Sequence, residues 1–161
     1  MRTAFYPCCN NDILEPLKLL TGFVDRVIFC DINQNHSRNV KKIMLSDEYQ
    51  HLPECIFVAG DALSTIAQLP TIDLLFYRRD STGEGGSGLF VLGDIFLKPF
   101  LKKLSSNGGL IFTDGSNSRG GNFKKMIRTN GLIKHGWRFS KSDDQPYLLE
   151  RHLYKINVSP E

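Results

Sequence analysis

No stretch of this chain reaches the roughly 20 consecutive apolar residues of a membrane-spanning helix. The opening residues, 1-MRTAFYPCCN-10, also lack the apolar core of a secretion signal. Among the four cysteines, Cys8, Cys9, Cys30 and Cys55, there is no CxxC spacing, which argues against a zinc site or a thioredoxin-type motif. The glycine-rich stretch 79-RDSTGEGGSG-88 contains no lysine, so it is not a phosphate-cradling P-loop. His36, His51, His135 and His152 stand in polar or turn contexts with no metal-ligand spacing, and no metal site is expected. Charge of one sign is not concentrated either. The net charge is +3, and the densest basic run, 98-KPFLKK-103, reads as a solvated helix face rather than a nucleic-acid patch. These absences leave a protein with reduced thiols and no membrane partner, for which the cytoplasm is the expected setting.

What is present is an ordinary globular composition: 161 residues, 41% hydrophobic and 23% charged. That length supports one domain with a full core, expected over 1–161. Strand-like and helix-like segments alternate without a linker. Short apolar runs at 2–7, 26–31, 55–59, 72–78 and 109–114 read as strands. Helical patterns lie between them at 12–22, 34–48, 61–69 and 89–104, with another at 122–130. In the first helix, Asp12 and Glu15 have the spacing of a capping pair. The chain closes with 137-WRFSKS-142, the turn 143-DDQP-146 and 147-YLLERHLYKI-156, which reads as an antiparallel hairpin. The expected fold is α/β: a doubly wound, mostly parallel, seven-stranded sheet with a C-terminal antiparallel hairpin and helices on both faces.

Within that pattern, 24-VDRVIFCDIN-33 is the most informative segment. An apolar strand ends in Asp31, at the place where α/β folds position a carboxylate to accept hydrogen bonds from both hydroxyls of a ribose. The plainer role for Asp31 is capping the next helix. Asp61, opening the third helical segment, has the same double reading, since an aspartate before a helix is a common N-cap. Arg78 and Arg79, after the strand at 72–78, can grip an anionic ligand group or pair with Asp80, Glu84 or Asp61. The ligand crevice is expected at the carboxyl ends of the first, second and fourth strands, where the winding reverses.

The quoted residues 6-YPCCNND-12, Asp31, 60-GDA-62, 77-YRRD-80 and 104-LSSNGGLIFTDG-115 together resemble the class I S-adenosylmethionine-dependent methyltransferases over nearly the whole chain. The resemblance implies a small-molecule cofactor, S-adenosylmethionine. Its methionine part is wrapped by Tyr6, Pro7, Cys8, Cys9 and Asp12, and its ribose is held by Asp31 with Ile32 and Asn33 beside it. Gly60, Asp61 and Ala62 would meet the adenine, and Arg78 would lie near the methyl end. Asp80 and Tyr77 become candidates for orienting an acceptor, whose identity the resemblance leaves open.

The chain departs from the family where the first loop usually carries Gly-x-Gly; here it has Cys8, Cys9, Asn10 and Asn11. It carries neither an Asn-Pro-Pro-Tyr motif nor a Pro-Cys nucleophile. Two alternatives therefore stand beside a methyltransferase-like protein. One is a non-catalytic domain of the same fold with an altered cofactor site. The other is an NAD-binding protein, since 83-GEGGSG-88 matches G-x-G-x-x-G between a strand and a helix. The same glycine-rich loop is otherwise expected to be a mobile cover over the site.

Overall fold

The computed structural model describes residues 1–80, 87–118, 122–129, 131–142 and 153–161. The mobile cover expected at 79–88 and the G-x-G-x-x-G stretch fall largely outside these residues, as does the turn expected at 143–146.

Five strands form the parallel part of the sheet: β1 (Thr3–Pro7), β2 (Arg26–Asp31), β3 (Glu54–Ala59), β4 (Leu74–Tyr77) and β5 (Gly109–Thr113). Helices α1 (Leu14–Leu20), α2 (Ser37–Met44), α3 (Ala62–Gln68) and α4 (Asp94–Lys103) lie between them in sequence, and α5 (Asn122–Arg128) follows. Three more strands, β6 (Leu132–Lys134), β7 (Trp137–Lys141) and β8 (Tyr154–Pro160), complete one sheet of order β3-β2-β1-β4-β5-β8-β7-β6. The last three pair antiparallel, β8 filling the place beside β5.

Among the described residues the sheet therefore has eight strands, not the expected seven. The additional strand is β6, which pairs with β7 around His135 and Gly136, both at positive φ. Three residues of mixed polarity carry too little periodicity to announce a strand. The final strand also lies later than expected. It runs Tyr154–Pro160 because the alternation continues past Ile156 to Val158, which sits opposite the buried Phe139.

β1 is buried along its whole length, as a strand flanked on both sides and covered by helices must be. Tyr6, Phe29 and Phe76 pack on one side of the sheet, while Phe5 stacks against Phe96 of α4 on the other. Each fully buried aromatic of this kind contributes roughly 1.5–3 kcal/mol by removal from water. The strand order reverses at β1, whose neighbours β2 and β4 lead away in opposite directions. The carboxyl ends of these strands open a crevice there.

Candidate functional site at the carboxyl ends of the parallel strands

The loops leaving β1, β2, β3 and β4 enclose a cavity of about 640 Å³. After β1 the chain turns sharply, with Cys8 at φ 57° and Asn10 at φ 50°. Both are left-handed, the conformation glycine would adopt without cost; asparagine tolerates it and cysteine does so less readily. The turn delivers the Asn10 backbone N–H to Asp31 Oδ2 at 2.9 Å. From the other side, the Asn33 N–H donates to Asp31 Oδ1, also at 2.9 Å. One carboxylate thus ties the first two loops together. A carboxylate offers about four acceptor positions, so each Asp31 oxygen keeps capacity toward the cavity.

Just past the end of β3, the Gly60 N–H donates to the Asp31 carbonyl at 2.9 Å. Asp61 follows as the N-cap of α3 and accepts from the Ser64 N–H at 2.8 Å. The capping role read from the sequence is therefore real, and Asp61 lines the cavity as well. Ile32, 82% exposed beside Asp31, supplies an apolar lip.

The β4 end is built around Asp80, which is buried at 6% exposure. Its carboxylate accepts from the Tyr77 hydroxyl, from both the N–H and hydroxyl of Ser87, and from the Asn117 amide. Burial pushes its pKa up, but the donors from Ser87, Tyr77 and Asn117 outweigh that and hold it below the ordinary value. Asp80 is an anion holding four donors, three of them on Oδ2, and with its basicity lowered it is poorly suited to taking a proton from an acceptor. Burial, then the Asp80 contact, raises the Tyr77 pKa, so Tyr77 stays a neutral donor. Burial likewise pushes the Cys8 thiol up to about 12, leaving it protonated at neutral pH.

The lowered pKa fixes a sign. Stability contributed by Asp80 is complete above the unfolded value of about 3.9 and disappears as pH falls through the lower folded value. The expected result is that wild type loses more stability than Asp80→Asn between pH 6 and pH 3 in urea titrations. Parallel pH profiles would remove Asp80 from the acid response.

Beneath the first loop lies a buried ion pair. The Arg78 side chain is 0% exposed and grips Asp12 with Nε at 2.7 Å from Oδ2 and Nη2 at 2.8 Å from Oδ1. Nη2 also reaches Glu15 at 3.3 Å, and the Tyr6 hydroxyl donates to Asp12 at 2.8 Å. This corrects two expectations. Asp12 is not the cap of α1, whose N-cap is Ile13 without a side-chain capping bond. Arg78 pairs with Asp12 and Glu15, across the first loop from the carboxylates of Asp80 and Asp61 expected as its partners.

Of the expected cofactor contacts, Cys8, Asp31, Ile32, Asn33, Gly60, Asp61 and Ala62 share the cavity wall. Tyr6, Pro7, Cys9, Asp12 and Arg78 do not line it; Tyr6, Cys9 and Arg78 are buried below it. Arg79, 54% exposed on its side chain, is the arginine that faces the cavity. Sequence reading missed His36 and Leu89, and it placed Ser87 and Gly88 over the site only as part of a glycine-rich cover. His36 follows an exposed polar run, and Ser87 carries no signal that it would anchor to Asp80.

Among solved structures the chain is similar to TrmN from Thermus thermophilus, with 16% identity and a TM-score of 0.55, over 99% of this chain and 44% of that one. It is also similar to SMU.1697c from Streptococcus mutans in complex with SAH, at 9% identity and a TM-score of 0.58, covering 100% of this chain and 89% of that one. A methyltransferase from Geobacter sulfurreducens matches at 14% identity and a TM-score of 0.58, over 99% and 71%. The chain spans less than half of the Thermus protein's length. No protein-family profile and no curated protein matches it. At these identities the likeness is one of fold, and the chain has a class I S-adenosylmethionine-dependent methyltransferase-like fold.

Proposed function

We propose that this chain is a methyltransferase-like protein of one domain, with helices on both faces of its sheet, that binds S-adenosylmethionine at the ends of β1, β2, β3 and β4. The observation that carries this is Asp31, which lies on a cavity of about 640 Å³ with acceptor capacity left on both oxygens. Those positions suit the two hydroxyls of a ribose. Ile32 and Asp61 border the same cavity and fit the apolar face and the polar edge of an adenine. Cys8 and Asn10 line the loop side, and Arg79 supplies a cation for a carboxylate group.

When bound, S-adenosylmethionine supplies a methyl group carried on a sulfonium. The residues of this chain orient and enclose it; among the described residues, Asp80, Tyr77 and Cys8 are not arranged to remove a proton. With Asp80 held by four donors and the Tyr77 and Cys8 protons firmly held, the site best suits an acceptor that arrives with a lone pair already available. Proximity and orientation are then the chain's contribution to rate. The four donors held by Asp80 favour a second reading, a non-catalytic domain that binds the cofactor without turning it over. The NAD reading gains no support, because most of its glycine motif lies outside the described residues. The four cysteines are free, and no helix among the described residues is long and apolar enough to cross a membrane. A reducing, cytoplasmic setting suits both facts.

S-adenosylhomocysteine at 100 times its dissociation constant is expected to stabilise the chain by about 2.7 kcal/mol in a thermal unfolding experiment, with NAD giving none. Asp31→Asn keeps the side chain's shape but removes its charge. It should weaken binding by the ~1.5–3 kcal/mol of a hydrogen bond to a charged group. Unchanged affinity in Asp31→Asn would remove Asp31 from the ribose site. Stabilisation by NAD but not by S-adenosylhomocysteine would overturn the cofactor assignment.

A further inference from the structure

His36 is a histidine turned inward from a polar surface. Residues 32–35 are exposed, yet the His36 side chain is only 12% exposed and lies on the cavity wall. It opens α2 without spending its ring on a capping hydrogen bond. Its Nε2 stands 4.0 Å from Asp31 Oδ1, beyond hydrogen-bonding range. An oxygen placed ~2.8 Å from both atoms would see them at an angle of about 90°, acceptable for a hydroxyl that accepts from one and donates to the other. Asp31 Oδ1 has one acceptor position taken by the Asn33 N–H, which leaves one for such a hydroxyl.

We infer that His36 is a ligand-holding residue that, together with Asp31, recognises the vicinal diol of a ribose; this rests on the proposed cofactor site. His36 Nε2–H donates to one hydroxyl, which donates in turn to Asp31 Oδ1. Asp31 Oδ2, shared with the Asn10 N–H, serves the second hydroxyl. The arrangement needs only the tautomer with its proton on Nε2, so it operates with a neutral ring. It also explains why a side chain able to lie in solvent is drawn in beside the carboxylate without bonding to it. The gap between the two groups has the width of one hydroxyl.

Calorimetric titration of the full chain tests this with S-adenosylhomocysteine and its 2′-deoxy and 3′-deoxy analogues. His36→Ala is expected to weaken S-adenosylhomocysteine about 3–10-fold, the weight of one neutral hydrogen bond. His36→Gln, which keeps an N–H donor, should recover most of that loss. For the analogue lacking the bridged hydroxyl, wild type and His36→Ala should bind alike. An equal loss for all three ligands would show that His36 only shapes the loop, and would overturn the inference. So would His36→Ala binding S-adenosylhomocysteine as tightly as wild type, with the cofactor site itself left standing. Failure of wild type to bind S-adenosylhomocysteine would overturn the site and the histidine's role together.

Discussion

Replacing Arg78 with alanine is expected to destabilise the chain by about 3–5 kcal/mol, the usual cost of removing one partner from a buried ion pair. The guanidinium is fully enclosed and holds Asp12 through two hydrogen bonds of 2.7 and 2.8 Å. Without it, Asp12 keeps the Tyr6 hydroxyl at 2.8 Å and Arg79 Nη1 at 3.9 Å, and its carboxylate, 15% exposed, has little water to solvate it. Lysine should rescue poorly, because a single ammonium cannot reproduce the two-pronged fork. The double variant Asp12→Ala/Arg78→Ala should be more stable than the sum of the single losses implies, since removing both charges leaves neither stranded. Urea unfolding of the four proteins measures this directly. Additive losses, or a loss below 1 kcal/mol for Arg78→Ala, would show that the pair does not pin the start of α1 to the end of β4.

A comparable loss is expected at the entrance to β5. Gly108 has φ +94°, outside the comfortable range of any L residue, and a Cβ there would run into the Val158 carbonyl oxygen of β8. At Gly109 a Cβ would come within 2.5 Å of the Asp73 carbonyl oxygen and of Leu104 Cδ1. Asp73 cannot yield easily, because its carbonyl accepts from the Leu110 N–H at 3.0 Å and its carboxylate from the Thr3 N–H at 2.8 Å. Backbone strain of about 1–3 kcal/mol and overpacking of about 1–3 kcal/mol act together at Gly108. Gly108→Ala should therefore cost about 2–5 kcal/mol. Gly109→Val should cost at least as much as overpacking alone. Thermal unfolding of the two variants checks this; melting points within a degree of wild type would mean β5 can shift away from β8 and β4 without penalty. The Gly-Gly step before the fifth strand is part of the family resemblance in the sequence, and here its physical reason is close approach of two backbones.

Local signals in the sequence were legible and long-range ones were not. β2 could be read to its last residue because an apolar run bounded by charge admits one interpretation, and Asp31 falls at its end. The Asp61 cap was equally plain, since an N-cap and its helix are neighbours in sequence. The Asp12–Arg78 pair joins residues 66 positions apart, and nothing local marks either as the other's partner. Asp12 even offered a false local partner in Glu15, three residues on. Asp80 was singled out as a residue able to orient an acceptor. The structure places it at the centre of donors drawn from 77, 87 and 117, a convergence that only the folded chain assembles. β6 escaped notice because three residues next to a two-residue turn say little without the β7 strand they pair with.

Asp31 accepts from Asn10 on one side and Asn33 on the other, so the first two loops behave as one mechanical part. Strain introduced in either is transmitted to the other through a single carboxylate. A residue inserted between Pro7 and Asp12 would disturb the Ile32 lip as much as its own turn. A ligand leaning on Asp31 would stiffen both loops at once, with no separate hinge required.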